Sequence, residues 1–274
     1  MHNKCPIGIF DSGYGGLTIL KDIKEKLPEY DYLYLGDNAR APYGNRSYQT
    51  VYEYTLECVN WFFSRGCELI ILACNTASAK ALRTIQQNNL STFGVEKRVL
   101  GVIRPTSEVI GNYSKTKTIG ILGTTGTVSS NSYIIEINKF FPDITIFQEA
   151  CPMWVPLIEN NEYDNEGADF FIKKNVHALL NKSKGIDTIL LACTHYPLLI
   201  NKLRSIVSQN VRIVSQGPIV ADALCDYLIK HPVLESKISK NKEVQFFTTD
   251  SVSEFNSNSM KFFESSVNAF HVDI

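Results

Sequence analysis

The chain repeats two short motifs, and this repetition limits its possible folds more than any other feature. Residues 7–10 (Ile-Gly-Ile-Phe) recur at residues 119–122 (Ile-Gly-Ile-Leu), an offset of 112 positions. Residues 69–76, which end in Ala-Cys-Asn-Thr, recur at residues 188–195, which end in Ala-Cys-Thr-His, an offset of 119. Two offsets this similar indicate two equivalent domains whose loops differ slightly in length.

Short apolar segments alternate with longer amphipathic segments along the chain. Strands are predicted at the repeated motifs and at residues 32–35, 99–103, 145–147 and 211–214, and helices between them, for example at 48–65. This alternation is typical of βα units that build a parallel sheet covered by helices. The expected fold is α/β, with two pseudo-symmetric domains, each a mainly parallel central sheet flanked by helices, and the active site in the cleft between them.

The chain is expected to cross between the domains twice. Residues 101–105 are predicted to leave the first half, and residues 214–218 to return to it. Because the segment after Gly217 has no counterpart at the end of the first half, it is expected to pack on domain one. Domain one is therefore predicted to comprise residues 1–98 plus 215–274, with Asp11 and Cys74, and domain two residues 99–214, with Cys193 and His195.

Composition narrows the class of partner. With 27 basic and 28 acidic side chains the net charge is −1, which offers no general attraction for nucleic acid or an anionic membrane. The apolar runs are shorter than the roughly 18 residues that a spanning helix needs. The N-terminus lacks the pattern of a signal peptide, and the seven cysteines are odd in number and scattered, so free thiols, a cytoplasmic location and a small-molecule partner are expected.

Two cysteines occupy matching positions at strand ends. Cys74 and Cys193 each follow a buried apolar run, and in open parallel sheets ligands bind outside the carboxyl ends of the strands. A single cysteine there is more often a small core residue, but a matched pair followed by polar side chains favours a functional role. The turn after each opens toward a predicted helix, whose N-terminus would lower the pKa of the thiol.

Two thiols related by an approximate two-fold axis would approach a small substrate from opposite sides. One thiolate can remove a proton from a carbon while the opposite thiol supplies one to the other face, which inverts the centre. One sulfur must then be deprotonated and the other protonated, with the roles exchanging at each turnover.

The two half-sites differ in the ionisable side chain near the cysteine. Asp11 in domain one corresponds to Gly123 in domain two, and His195 in domain two corresponds to Thr76 in domain one. Taken alone, Asp11 could equally be a carboxylate that stabilises a turn or caps a helix. His195 could equally have a structural role, with its ring hydrogen-bonded to the backbone.

Several motifs follow one another along nearly the whole chain, at residues 8–18, 34–44, 73–77, 150–152, 155–159, 193–197 and 215–217. In this order they resemble the motifs of the glutamate racemase family, within the aspartate/glutamate racemase superfamily. The loop of residues 36–44, which also fits a polar turn, contains one of them. Trp154 departs from the smaller aliphatic residue or Phe that is usual in the family, and residues 160–167 are longer than is common.

The resemblance implies a racemase that interconverts L- and D-glutamate without pyridoxal phosphate, metal or other cofactor, and supplies D-glutamate for bacterial peptidoglycan. It implies that Cys74 is the base toward D-glutamate and Cys193 the base toward L-glutamate. Asp11 and His195 would assist the thiols, with Glu159 in support near His195. The residues implied to bind substrate are Asp11, Ser12, Tyr43, Gly44, Asn75, Thr76, Thr124, Thr194 and His195. Of these, Thr124 is matched only to a looser Gly-Thr motif, as is Thr127.

Three alternatives stay open at the level of sequence. An aspartate or hydantoin racemase would share the paired cysteines, although the doublets 75–76 and 194–195 favour glutamate. Cys74, Cys193, His195 and Asp11 are also residue types that ligate zinc, although the chain has no C-x-x-C pair. A non-catalytic protein that binds a small molecule between two lobes would need no thiols. A homodimer is compatible with the sequence.

Overall fold

The computed structural model describes residues 4–274. The first three residues, which begin the segment searched for a signal peptide, lie outside this range. Within it, no helix combines the length and the apolar character that crossing a membrane requires. The strands of the described residues are β1 (Ile7–Asp11), β2 (Tyr32–Gly36), β3 (Leu69–Leu72), β4 (Arg98–Gly101), β5 (Thr118–Gly123), β6 (Thr145–Ala150), β7 (Thr188–Ala192), β8 (Arg212–Val214), β9 (Val244–Thr248) and β10 (Ala269–His271).

Helices connect nearly all of these strands. Short 3-10 helices occur at Asn38–Arg40, Tyr43–Asn45, Ile110–Tyr113 and Tyr196–Leu199, and a π-helix at Ile85–Asn89. The α-helices are α1 (Gly16–Lys26), α2 (Tyr48–Ser64), α3 (Asn75–Lys80), α4 (Leu82–Thr84), α5 (Leu90–Phe93), α6 (Ile103–Val109), α7 (Thr125–Ser129), α8 (Ser132–Phe140), α9 (Trp154–Glu159), α10 (Glu166–Lys182), α11 (Ile200–Ile206), α12 (Gly217–Lys230), α13 (Pro232–Glu235) and α14 (Val252–Phe263).

The strands form two parallel sheets. The first has the order β10-β9-β2-β1-β3-β4 and the second the order β6-β5-β7-β8, and every strand pair in both is parallel. The run β2-β1-β3-β4 is matched strand for strand by β6-β5-β7-β8, so the repeat seen in the sequence extends to the topology. The prediction of two parallel-sheet α/β domains is confirmed.

The repeated Ile-Gly-Ile motif has a packing explanation. A Cβ added to Gly8 in β1 would lie 2.7 Å from the Phe62 ring of α2. A Cβ added to Gly120 in β5 would lie 2.7 Å from a methyl carbon of Leu179 in α10. Each glycine therefore lets a helix press a large side chain onto the middle of its sheet, while the flanking isoleucines are buried on the strand. The motif recurs because both sheets make the same contact.

The chain leaves the first sheet after Gly101 and returns after Val214. The strand predicted over residues 99–103 is correct only to Gly101, because α6 begins at Ile103. Since β4 pairs with β3 in the first sheet, the domain boundaries that we propose follow Gly101 and Val214; the first is a few residues later than the expected one at 98/99. After the return, α12 packs against α1.

Two strands of the C-terminal segment were not predicted. β9 pairs with β2, and β10 pairs with β9, so both extend the first sheet at its edge. The repeat could not reveal them, since the second half has no equivalent of either strand. β10 is also only three residues long, which is too short for a periodic pattern.

Candidate active site

A cleft lies where the carboxyl ends of the two sheets face each other, with about 570 Å³ of empty space when the part open to solvent is included. Eight of the nine predicted substrate-binding residues line it, and Asp11 lies behind the wall, fully buried. The lining residues are Ser12, Ala41, Pro42, Tyr43, Gly44, Asn45, Cys74, Asn75, Thr76, Thr124, Cys151, Pro152, Val155, Pro156, Glu159, Cys193, Thr194 and His195.

Part of this wall was not predicted as a site. Cys151 and Pro152 follow β6, and Val155 and Pro156 lie in the first turn of α9. The rule that ligands bind beyond the carboxyl ends of strands would have indicated Cys151 and Pro152, since β6 ends at Ala150. The two residues of α9 gave no such signal, because only the packing of α9 brings them to the cleft.

Cys74 lies between β3 and α3 and caps the helix. Its Sγ accepts a hydrogen bond from the backbone N–H of Ala77 at 3.5 Å and lies 3.4 Å from Ser12 Oγ. Burial raises the pKa of the thiol to about 12, and the negative charge of Asp11 adds to the rise, although the Ser12 and Ala77 hydrogen bonds oppose it. The expectation that the helix N-terminus gives Cys74 a lowered pKa is therefore wrong, because desolvation outweighs the contribution of the helix.

Cys193 lies at the equivalent end of β7, beside an imidazole. His195 Nδ1 is 3.9 Å from the Cys193 Sγ, and His195 Nε2 is 2.8 Å from Glu159 Oε1. Burial disfavours the charged imidazole, but the Cys193 sulfur and Glu159 outweigh it, so the pKa of His195 is raised well above its usual value. This half-site therefore stabilises a positive charge next to its sulfur.

Asp11 is the last residue of β1 and is fully buried. One carboxylate oxygen, Oδ2, accepts the backbone N–H of Gly13 at 3.0 Å, while Oδ1 has no hydrogen-bond partner among the described residues. Burial raises the pKa of this carboxyl, although His195 opposes the rise. Asp11 therefore holds the turn at Gly13, and its ionised form raises the pKa of the Cys74 thiol.

Three hydroxyl and amide side chains link the halves of the site. Thr76 Oγ1 lies 3.0 Å from Thr124 Oγ1, which caps α7 by accepting the backbone N–H of Thr127 at 3.2 Å. Asn75 is buried, its Oδ1 accepts a hydrogen bond from Tyr133 at 2.6 Å, and its Nδ2 has no partner among residues 4–274. Asn75 thus offers the cleft an unused N–H donor.

Tyr43 contributes its backbone and ring to the cleft, since its hydroxyl is already used. That hydroxyl donates to Asp37, whose carboxylate is also held by Arg40 Nε at 2.7 Å. The ring is almost fully buried against Phe10 and Tyr54. Gly44 follows in the same 3-10 helix, and a Cβ on it would lie 3.1 Å from Thr124. The loop is therefore pressed against the opposite half of the site.

Gly15 permits a close contact between the two halves. A Cβ added at this position would lie 2.2 Å from Thr194 Oγ1 and 2.4 Å from His195 Nδ1. Thr18, one turn later in α1, donates a hydrogen bond to the carbonyl of Thr194 at 3.0 Å. The N-terminus of α1 is thus seated directly on the loop that carries Cys193 and His195.

Among the residues that the structure describes, no lysine or arginine lines the cleft. An anionic ligand would therefore be held by neutral donors, such as the hydroxyls of Ser12 and Thr76 and the amide of Asn75, together with backbone N–H groups. The zinc interpretation requires at least three ligands around one point, and residues 4–274 contain no group of three or more His, Cys, Asp or Glu placed to hold a metal ion.

A family model described as Asp/Glu/hydantoin racemase matches residues 15–224. The chain belongs to this family. The expected enzyme class, an amino acid racemase, is confirmed with it. Racemases of this family are isomerases, and the matched range contains both cysteines, His195 and Glu159.

Individual relatives agree with the family model. A glutamate racemase of Sulfurihydrogenibium sp. (strain YO3AOP1) is 43% identical over 216 residues, which cover 76% of this chain and 80% of the relative. The crystal structure of glutamate racemase isoform RacE1 from Bacillus anthracis superposes with a TM-score of 0.90 at 31% identity, covering 100% of this chain and 99% of that one. A glutamate racemase from Francisella tularensis subsp. tularensis SCHU S4, solved in complex with D-glutamate, has a TM-score of 0.87 at 29% identity and 98% coverage of both chains.

Proposed function

We propose that this racemase interconverts L- and D-glutamate by a two-base mechanism in which Cys74 and Cys193 act on opposite faces of the substrate. One observation carries the proposal. The two sulfurs follow equivalent strands, β3 and β7, of two matched sheets, and both line the same cleft. A carbon bound between them has one sulfur on each side.

Glutamate is favoured as the substrate over other amino acids. The relatives at moderate identity over most of the chain are glutamate racemases, and the Francisella relative was solved with D-glutamate. The lining of neutral donors suits a small dicarboxylic acid, since hydroxyls, amides and backbone N–H groups bind carboxylates. The nine substrate-binding residues expected from the sequence keep that role in the proposal, with Asp11 acting from behind the wall.

The proposed proton transfers balance over one turnover. The Cys193 thiolate takes the α-proton of L-glutamate, and the electron pair of the broken C–H bond stays on the substrate, delocalised into its α-carboxylate. The Cys74 thiol then gives its proton to the opposite face of the same carbon. Cys193 finishes as a thiol and Cys74 as a thiolate, so the enzyme is ready for D-glutamate with the roles reversed.

The electrostatics of the two half-sites support this division of charge. Cys74 lies beside Asp11 and has a raised pKa, so its resting form is the thiol. Cys193 lies beside His195, whose charged form is favoured by Glu159 and by the sulfur itself. The cleft therefore favours a neutral thiol at Cys74 and a positive imidazolium beside the Cys193 sulfur, an asymmetry that suits the unequal protonation states of a two-base racemase.

Proton exchange in heavy water tests the proposal. The purified protein, treated with a chelator, is incubated with L- or D-glutamate in D₂O, and α-deuteration and optical rotation are followed. We expect deuterium in the α-position of the enantiomer formed from each substrate. The absence of both exchange and inversion with either enantiomer, while aspartate reacts, would assign the site to a different substrate.

Single substitutions of the two thiols test the two bases. Cys74→Ser and Cys193→Ser are each expected to abolish racemisation, since inversion needs a group on both faces. Cys225→Ser is the matched control, because Cys225 is free, partly exposed and outside the cleft, and it is expected to keep full activity. Full activity in either cleft variant would remove that cysteine from the mechanism.

We also propose that the D-glutamate formed supplies peptidoglycan synthesis in the cytoplasm. All seven cysteines of the chain, which lie within the described residues, are free thiols, as is usual in a reducing compartment. A homodimer stays a prediction, which sedimentation of the purified protein would test.

A further inference from the structure

A line of buried hydrogen bonds leads from one crossing between the sheets to the cleft. It runs from the carbonyl of Val102 through Thr106, Gln216 and Tyr133 to Asn75, and we call these five residues the amide relay. The distances are 2.8 Å from Thr106 Oγ1 to Val102 O, 2.9 Å from Gln216 Nε2 to Thr106 Oγ1, and 2.6 Å from Gln216 Nε2 to Tyr133 Oη. The last link, from Tyr133 Oη to Asn75 Oδ1, is also 2.6 Å.

The relay is shielded from solvent. Thr106 and Tyr133 are completely buried, and Asn75 and Gln216 are each 2% exposed. Buried polar groups require partners within the protein, and a mispaired donor or acceptor at such a position is costly. The direction of each hydrogen bond is therefore fixed by its neighbours and not by water.

The direction of the relay is set at its Val102 end. A carbonyl can only accept, so the single hydroxyl proton of Thr106 points to Val102 and its oxygen must accept from Gln216. Gln216 thus presents its Nε2 group, which also lies 3.3 Å from the Val102 carbonyl, a group that can only accept. One amide proton points to Thr106 and Val102, and the second points to the Tyr133 oxygen. Since Tyr133 already accepts from Gln216, its own proton is free to be donated onward.

At the cleft, this direction decides which way the Asn75 amide faces. The Tyr133 proton requires an acceptor, so Asn75 turns its Oδ1 toward Tyr133 and its Nδ2 away from it. That Nδ2 is buried and has no partner among residues 4–274, and Asn75 lines the cleft. An amide with reversed orientation would face the cleft with an oxygen, which repels a carboxylate.

We infer that Tyr133 and Gln216 are positioning residues that orient the Asn75 amide so that it donates to a carboxylate of the substrate. The inference rests on the proposed function, since it takes glutamate as the ligand. Val102 and Gln216 lie at the two points where the chain crosses between the sheets. The relay therefore links the relative placement of the two sheets to the orientation of the Asn75 amide, that is, to whether its N–H group or its oxygen faces the substrate.

Tyr133→Phe tests the relay, since it keeps the ring and removes the hydroxyl that fixes Asn75. A hydrogen bond to a charged group contributes enough to binding that its loss raises KM for glutamate about tenfold. Because the amide binds substrate without taking part in proton transfer, kcat is expected to stay within about twofold of the parent value. An unchanged KM, with racemisation intact, would overturn the inference but not the proposed function.

A double-mutant cycle separates positioning from a general structural effect. Asn75→Ala is expected to raise KM to a similar extent, and adding Tyr133→Phe to it is expected to raise KM no further, because the group that Tyr133 orients is gone. If the two substitutions instead raise KM independently, so that their effects multiply in the double variant, Tyr133 does not act through Asn75.

Two further variants keep the test informative if Tyr133→Phe folds poorly. Gln216→Met removes the donor that directs the Tyr133 proton, and it is expected to raise KM with little change in kcat. Tyr32→Phe is the matched control, because the Tyr32 hydroxyl is also buried and donates a single hydrogen bond, to the carbonyl of Leu27 at 2.7 Å. It is expected to lower the melting temperature without changing KM. A similar rise in KM in Tyr32→Phe would assign the effect to stability and overturn the inference.

Discussion

His195 Nε2 and Glu159 Oε1 lie 2.8 Å apart, and the two side chains are only 6% and 22% exposed. At this distance from a poorly hydrated carboxylate, the imidazole holds its proton more tightly than it would in water. The other ring nitrogen faces the Cys193 sulfur. The imidazole ring of His195 thus lies between the Glu159 carboxylate and the Cys193 sulfur.

Glu159→Gln is expected to lower the pKa of His195, because it removes one of the two negative groups that raise it. If charged His195 supports the Cys193 thiolate, the alkaline limb of the kcat/KM profile moves to lower pH, and kcat/KM at neutral pH falls about 10- to 100-fold. The two enantiomers have equal free energy, so kcat/KM is the same in both directions and one profile suffices. An unshifted alkaline limb would contradict this role of Glu159.

Asp11 and Ser12 are expected to affect Cys74 in opposite directions. The negative charge of Asp11 raises the pKa of this thiol, whereas the hydrogen bond from Ser12 lowers it. Asp11→Asn should therefore increase the rate at which iodoacetamide alkylates Cys74 at pH 8, and Ser12→Ala should decrease it, because only the thiolate reacts. The labelling of Cys74 is read by peptide mass spectrometry.

Cys225 provides the internal control for this experiment. It is the only partly exposed cysteine, the other six being buried, and all seven lie in the described part of the chain. Its alkylation rate should be the same in the parent and in both variants. Parallel changes at Cys225 and Cys74 would mean that the variants loosen the fold instead of shifting the pKa of one thiol.

Gly15→Ala is expected to separate the two halves of the site. The new Cβ would lie 2.2 Å from Thr194 Oγ1 and 2.4 Å from His195 Nδ1, so the loop that carries Cys193 must move. Overpacking of this kind costs roughly 1–3 kcal/mol of stability, and a displacement of about 1 Å at a catalytic group can lower the rate about 100-fold. Urea unfolding and racemisation assays measure the two effects.

Gly123→Ala is the control substitution, at the last residue of β5 in the second sheet, where the equivalent residue of the first sheet is Asp11. A Cβ there would meet Val128 at 3.4 Å, which is ordinary van der Waals contact. Its stability should stay close to that of the parent. Equal losses in the two glycine variants would show that the contact across the halves is not what makes Gly15 necessary.

The sequence predicted those parts of the fold and of the site that rest on short sequence patterns and that occur in both halves of the repeat. The strands before Cys74 and Cys193 are apolar runs, and the glycines of the repeated motif mark where a helix packs on each sheet. β9 and β10 have no second copy to reveal them. β9 joins the first sheet only by pairing with β2, more than two hundred residues away, and β10 joins it only by pairing with β9. Short-range patterns record neither pairing.

The electrostatics of the site were the least predictable part. The helix that follows Cys74 suggested a lowered pKa, but the pKa is raised, because the depth of burial depends on the packing of both halves around the cleft. The amide relay was likewise hidden, since Thr106, Tyr133 and Gln216 are scattered over more than a hundred positions of the sequence. Both features depend on distances between elements that the sequence leaves open.

Asp22 should make stability depend on pH away from the active site. Asp22 lies in α1 and packs against the start of α12. A Cβ added to Gly217 there would lie only 1.7 Å from Asp22 Oδ2. Burial raises the pKa of this carboxyl from 3.8 to about 6, with a smaller contribution from Glu25. The folded state therefore binds this proton more tightly than the unfolded chain, and the stability that it contributes is complete below about pH 4 and lost as the pH rises through about 6.

Asp22→Asn removes the charge that the folded chain must bury above pH 6. The variant is expected to be more stable than the parent at pH 8 by about 1 kcal/mol, since solvent screening reduces the effect of a half-buried carboxyl, and to lose this advantage at pH 4. Urea unfolding at several pH values between 4 and 8 measures the difference. Asp226→Asn, on the exposed side of α12, is the control and should show no such dependence. A difference between Asp22→Asn and the parent that is constant with pH would mean that folding does not raise the pKa of the Asp22 carboxyl.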